Sequence, residues 1–209
     1  MTKKGILTVI SGFSGAGKGT VVKKLTDDYG YKVSVSATTR QPREGEKDGR
    51  EYFFITKEEF ESRIQAQGFL EYAGYVDNYY GTPAEYVDKE LSKGHDVILE
   101  IEVCGGLQVK EKRPDAVMIF LVPPSADELK KRLISRGTED TETIEKRLAR
   151  AYEETEFIGK YNYVVVNDTV DKCAANLNDI IQNEKKKLIH NNDDLDVIIN
   201  DYKRFERRQ

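Results

Sequence analysis

Gly12-Phe13-Ser14-Gly15-Ala16-Gly17-Lys18-Gly19-Thr20 follows an apolar run, Ile6-Leu7-Thr8-Val9-Ile10, and precedes Val21-Val22-Lys23-Lys24-Leu25, which can continue as a helix. A strand, a glycine-rich loop ending in lysine and then a helix form the setting in which a backbone wraps a phosphate. Glycines let the main chain approach oxygens where a Cβ would collide. Several N–H groups then point inward, and the positive end of the helix dipole adds to them. Lys18 supplies the formal charge. The bland alternative is a glycine-rich turn with no ligand.

The usual pattern has Ser or Thr directly after the lysine as a magnesium ligand. Here that position is Gly19, and the hydroxyl comes one residue later at Thr20. Adenylate-kinase-like proteins also carry a Gly-Lys-Gly-Thr ending.

Working outward, apolar β-type runs recur at Ile6–Ile10, Tyr31–Val35, Val97–Val103, Val117–Val122 and Tyr163–Val166, with helical stretches between them. Nearly continuous Val, Ile and Leu is how strands buried on both faces read in a parallel sheet. Alternation with helices makes this an α/β fold. Residues 36–92 interrupt the rhythm with a polar, turn-rich segment. Short aromatic runs follow around a helix near Lys57–Gln67, which reads as a small insert of helix and antiparallel strands. A second insert opens at Ser125, which with Glu128 forms a capping-box pattern. That helix runs to Arg136, Gly137–Asp140 breaks it, and Ile144, Leu148 and Ala151 stripe the next one. A helical hairpin bearing Arg132, Arg136, Arg147 and Arg150 suits a mobile lid over phosphates.

Composition sets bounds. The chain has 209 residues, 38% hydrophobic and 33% charged, with net charge −4. The acidic balance argues against a nucleic-acid binder, and no apolar run approaches a membrane span. Cys104 and Cys173 have neither metal-type nor disulfide-framework spacing, and with no signal peptide in view a cytoplasmic protein is expected. His95 and His190 read as structural or surface residues.

Three constellations stand out. Arg40 and Arg43 flank Pro42, and guanidinium forks match phosphate oxygens; Tyr52 and Tyr80 could add hydroxyls. A solvated charge run is the other reading. Glu100 and Glu102 fall on one face if Val97–Val103 is a single strand. They either meet a metal, a donor or water at its carboxyl end, or belong to an exposed edge. Glu71 and Thr82 lie in the aromatic insert. A carboxylate accepts two hydrogen bonds in its plane, and guanine offers a ring N–H and an exocyclic amine on one edge where adenine does not.

Together these motifs resemble the guanylate kinase family, from about residue 5 to 187. The telling pieces are Ser14-Gly15-Ala16-Gly17-Lys18, Ser36-Ala37-Thr38-Thr39-Arg40-Gln41-Pro42-Arg43, Gly49-Arg50-Glu51-Tyr52-Phe53-Phe54, Asn78-Tyr79-Tyr80-Gly81-Thr82-Pro83, Arg136-Gly137-Thr138 and Val166-Asn167-Asp168. The resemblance implies a core of residues 1–35, 93–124 and 155–187, a GMP-binding insert at 36–92, a lid at 125–154 and a helical tail at 188–209. It implies transfer of a phosphoryl group from ATP to GMP, and to dGMP, with Mg2+. By position, Ser36, Arg40, Arg43, Tyr52 and Tyr80 would hold the GMP phosphate or its surroundings, and Glu71, Thr82 and Glu100 would read guanine. Ser14, Gly15, Ala16, Gly17, Lys18, Gly19 and Thr20, with Arg132 and Asn167, would serve ATP. Lys18, Arg136 and Arg147 would surround the transferring group, and Glu102 would help place magnesium through water. Departures are Phe13 for the familiar Pro and Cys104-Gly105-Gly106 for Gln-Gly-Ala. A non-catalytic interaction module of the same fold and a kinase for another nucleoside monophosphate are the rival readings. The expected unit of this chain is a monomer or homodimer. The tail carries a helical stripe, Leu195, Ile198, Tyr202 and Phe205, that either docks on its own core or meets a second subunit.

Overall fold

The computed structural model describes residues 4–135, 137, 140–190 and 192–205. Its centre is a five-stranded parallel sheet ordered β2-β7-β1-β8-β9. The strands are β1 (Leu7–Gly12), β2 (Lys32–Val33), β7 (Val97–Glu100), β8 (Val117–Val122) and β9 (Tyr163–Val166). Five apolar runs thus become five strands. The run Tyr31–Val35 yields only two paired residues, because β2 is an edge strand meeting β7 at Lys32 and Val33 alone.

Two apolar layers sandwich this sheet. On one side, Val21, Val22 and Leu25 of α1 (Lys18–Tyr29) and Cys173, Ala174, Leu177 and Ile181 of α7 (Val170–Glu184) pack on Ile10, Ile98 and Ile119. On the other, Val87 and Leu91 of α3 (Ala84–Ser92) and Val109 of α4 (Val103–Lys112) pack on Leu7, Val9, Leu99 and Met118. Each burial of a large aliphatic side chain contributes roughly 1.5–3 kcal/mol. That places the loop after β1 on a rigid frame.

A second, four-stranded sheet, β4-β3-β6-β5, is built from residues of the first insert. β3 (Ala37–Thr38) pairs antiparallel with β6 (Asn78–Pro83), which pairs antiparallel with β5 (Phe69–Tyr75), but β3 pairs in parallel with β4 (Phe53–Phe54), so the sheet is not purely antiparallel as its aromatic runs suggested. Phe60 of α2 (Lys57–Gln65) stacks on Phe69 and Tyr79 with centroids 4.3 and 5.2 Å apart. The β5–β6 hairpin turns on Val76 and Asp77, both at positive φ. α4 clasps this sheet: Gln108 exchanges hydrogen bonds with the Tyr72 backbone, and Lys112 Nζ donates to Phe69 O at 2.8 Å.

α5 (Ala126–Ser135) and α6 (Thr141–Glu154) form the helical hairpin, closed by Leu129, Leu133, Ile144 and Ala151 with Phe13 against them. Half of the Ser125 capping box forms: Glu128 N donates to Ser125 Oγ, while the Glu128 carboxylate turns to Arg132. In the tail, Ile198 and Tyr202 of α8 (Asn192–Tyr202) and Phe205 just beyond it are exposed and Leu195 is half-buried, so most of the stripe does not dock on the core. Among the described residues no helix is long and apolar enough to cross a membrane.

Candidate active site

The loop after β1 lies where the parallel sheet splits its connections to either side, at the carboxyl ends of the strands. Gly17, the residue before α1, has φ 90°, and a Cβ there would meet Asn167 Nδ2 at 2.6 Å. Only glycine fits both demands. Asn167 donates from that nitrogen to Ala16 O at 2.8 Å, and Arg132 spans the same corner, donating to Asn167 O at 3.0 Å. The end of β9 and α5 therefore fix the loop from behind.

Lys18 Nζ donates to Gly12 O at 2.7 Å and Phe13 O at 3.2 Å. The ammonium is folded over the loop, inside the curve its backbone makes. Ser14 Oγ accepts from Arg147 of α6 at 2.5 Å, which joins the hairpin to the loop. Gly15 packs beneath α5. Gly19 lies beside the Glu100 carboxylate, and Thr20 is exposed in the first turn of α1.

Ile10 pairs with Glu100, so that carboxylate stands level with the start of the loop. Surrounding protein raises its pKa above the ordinary 4.5, with the Lys18 charge pulling the other way. Glu102 does not share its strand face, contrary to the reading of Val97–Val103 as one strand. β7 ends at Glu100, and Glu102 caps the start of α4 with φ −68° and ψ 162°. Gly106 N donates to Glu102 O, so helix pairing has already begun there. The Glu102 carboxylate is exposed and accepts from Arg150 of α6 at 2.7 Å.

Glu71, on β5, is 7% exposed. Its Oε1 accepts from Thr82 Oγ1 at 2.6 Å, and its Oε2 lies over Gly105 of α4, where a Cβ would come within 2.9 Å. Burial raises its pKa; Thr82 and Lys112 oppose the shift and Glu102 adds to it. The β5–α4 clasp thus sets a buried carboxylate at the junction of the two sheets.

Arg40 and Tyr52 come together in the insert: the guanidinium lies 5.4 Å from the Tyr52 ring, which meets Tyr80 at 5.9 Å. Ser36 is half-buried at the entry to β3, and Arg43 is exposed. Arg136 lies outside the described residues. Sequence reasoning missed Glu46, which grips Arg40, and Gly105, which makes room for Glu71. A turn-forming glycine at 45 was the only local hint of the first. The second needs knowledge of which helix meets β5. His95 pairs with Glu90 at 2.7 Å, and Lys93 and His95 together hold the Glu90 carboxyl down to about 2. That arrangement is structural.

The structure thus supplies a buried carboxylate at Glu71, a phosphate-type loop with Lys18, and Arg132 and Arg147 tied to that loop. The family model described as guanylate kinase matches residues 4–184. The chain is 53% identical over 187 residues to the guanylate kinase of Lactiplantibacillus plantarum, covering 88% of this chain and 91% of that one. It is 53% identical over 192 residues to that of Caldanaerobacter subterraneus subsp. tengcongensis, covering 91% and 93%. The solved guanylate kinase of Anaplasma phagocytophilum is similar in fold, with a TM-score of 0.68 at 31% identity and 88% of each chain covered.

Proposed function

Because the chain belongs to the guanylate kinase family and so is a nucleoside monophosphate kinase that phosphorylates GMP with ATP, we propose a division of labour among its residues. ATP phosphates lie along Ser14, Gly15, Ala16, Gly17, Lys18, Gly19 and Thr20, with Arg132 and Asn167 bracing that loop. Residues 36–92 act as the GMP-binding unit and 125–154 as a lid on a core formed by the rest up to 187. Glu71 and Thr82, with Glu100, read guanine. Ser36, Arg40, Arg43, Tyr52 and Tyr80 receive the GMP phosphate.

The observation that carries the guanine reading is Glu71 itself. A carboxylate that stays buried needs donors to face it. Thr82 supplies one hydrogen bond at 2.6 Å, and the guanine edge supplies two more. dGMP presents the same edge and phosphate and is accepted with GMP.

No covalent nucleophile is required. A GMP phosphate oxygen attacks the γ-phosphorus of ATP in line, the bond to the β–γ bridging oxygen breaks, and ADP and GDP leave. The protein contributes positioning and charge. Lys18 leaves the carbonyls of Gly12 and Phe13 to meet the β- and γ-oxygens. Arg147 and Arg136 approach with the lid, and closure excludes water as competing acceptor. The hard oxygen donors nearby, the Glu102 and Glu100 carboxylates and the Thr20 hydroxyl, suit Mg2+. Among the described residues no group of three or more His, Cys, Asp or Glu could hold a metal unaided. Glu102 would help hold such an ion, through water. Bound there, it would neutralise charge on the phosphates. The two free cysteines agree with a reducing, cytoplasmic location.

Titrating Lys18→Ala and Arg40→Ala proteins with each nucleotide tests the division. The first should lose phosphoryl transfer and keep GMP binding; the second should weaken GMP and keep ATP. Turnover close to that of the unaltered protein in a folded Lys18→Ala variant would refute the loop assignment. The unit is a monomer or a homodimer, the exposed face of α8 being the surface for the latter. Sedimentation of a chain truncated after Lys187 separates the two, and activity survives in both.

A further inference from the structure

We propose that Glu46 is a positioning residue for the phosphate of the acceptor nucleotide: it holds the Arg40 guanidinium by one edge and so presents the other edge to that phosphate. The inference rests on the assignment of Arg40 to the GMP phosphate.

Arg40 and Glu46 form a two-pronged pair, Nη1 to Oε2 at 3.0 Å and Nη2 to Oε1 at 2.9 Å. The second Nη1 hydrogen goes to Gln41 O at 2.8 Å. A guanidinium has five N–H bonds in one plane, and these contacts use three. The remaining two, on Nε and Nη2, share an edge whose spacing matches two oxygens of a phosphate. The Tyr80 hydroxyl, assigned to the same phosphate site, hydrogen-bonds to the guanidinium and favours its charge.

The plane is fixed on a third side. The guanidinium lies 5.4 Å from the centroid of Tyr52 and 5.8 Å from that of Phe54, and the pair is largely shielded, with 16% and 19% of the two side chains exposed. Glu46 is in turn held by its own turn. Its Oε2 accepts from Arg43 N at 2.7 Å, its N–H donates to Arg43 O at 3.1 Å, and Gly45 takes φ 85° between them. Arg40 and Arg43 keep the Glu46 carboxyl below its ordinary range, so it is ionised at neutral pH. A substrate that displaced Glu46 would have to break this turn. A substrate that used the other edge leaves the Glu46 pair and its turn intact, has only the Tyr80 hydroxyl to share the group with, and meets an arginine whose rotamer is already chosen.

The test compares Glu46→Gln, Arg40→Ala and the double variant in steady-state kinetics, with equilibrium binding of GMP and of guanosine, which lacks the phosphate. Glu46→Asp serves as a second variant if Glu46→Gln does not fold; one methylene shorter, it cannot span both prongs. KM for GMP should rise about tenfold, the loss of one charge-assisted bond. KM for ATP and kcat should move less than about twofold, and guanosine affinity should not move. In the Arg40→Ala background Glu46→Gln should add nothing, because the two act as one unit. An unchanged or lower KM for GMP overturns the proposal, the latter showing that Glu46 competes with substrate. Equal losses for GMP and guanosine also overturn it, since Glu46 would then only support the loop. If Arg40→Ala itself leaves KM for GMP unchanged, the assignment of Arg40 fails first.

Discussion

Thr82 Oγ1 donates to Glu71 Oε1 across two antiparallel strands, at 2.6 Å and between two buried side chains. The bond pins the plane of a buried carboxylate, and a planar acceptor is useful only if its plane is fixed. Glu71→Gln replaces one acceptor oxygen with a donor that opposes guanine's own donors. An unpaired buried donor costs about 1–3 kcal/mol, so GMP affinity should fall roughly tenfold or more. ATP affinity should hold. Titration with each nucleotide checks this, and equal losses would remove Glu71 as the base reader.

The raised pKa of Glu71 gives a pH dependence with a definite sign. Burial lifts the carboxyl above 4.5, so the folded protein keeps a proton that the unfolded chain has released. The stability this group contributes is therefore present below 4.5 and lost as pH rises through the folded value. Guanine needs the ionised form, so base binding should strengthen as pH rises through that same value. GMP has a phosphate that titrates near pH ~6, which makes guanosine the clean probe. Its affinity should climb from acid toward neutral pH, and in Glu71→Gln the climb should vanish.

Gly105 sits in the first turn of α4, where alanine would ordinarily favour the helix. A Cβ there would stand 2.9 Å from Glu71 Oε2, and Thr82 prevents that carboxylate from swinging away. Gly105→Ala should raise KM for GMP with an energetic penalty of about 1–3 kcal/mol. KM for ATP should stay put. An unaltered KM for GMP would mean that Glu71 is not held where its chemistry is needed.

Val76 and Asp77 form the two-residue turn of the β5–β6 hairpin, at φ 44° and 62°. Such a turn calls for Asn or Gly, and a β-branched residue there is strained. Val76→Asn should stabilise the protein by roughly 0.5–2 kcal/mol, visible as a higher thermal midpoint, with kinetics unchanged.

Much of this was legible in the chain. The loop Gly12–Thr20 announced itself, because glycine spacing, lysine and flanking apolar runs are local signals. The buried strands β1 and β8 were also plain, since continuous Val, Ile and Leu need both faces covered. Glu102 was misread for a physical reason. Ile101 and Val103 are apolar enough to extend β7, but the strand stops at Glu100 and the chain turns into α4, which buries Val103, Gly105, Gly106 and Val109 together. The Arg40–Glu46 pair is set by a turn, and turns choose partners by geometry that residue types barely reveal. Gly105 became meaningful only once α4 and β5 were seen to touch.

The most direct measurement is the rate of ADP release with ATP and each nucleoside monophosphate in turn. GMP should be phosphorylated, dGMP should follow, and AMP, CMP and UMP should trail by about a hundredfold or more, as expected when a buried site must leave polar groups unpaired. Comparable turnover of AMP, or no ADP release with GMP, would contradict the account.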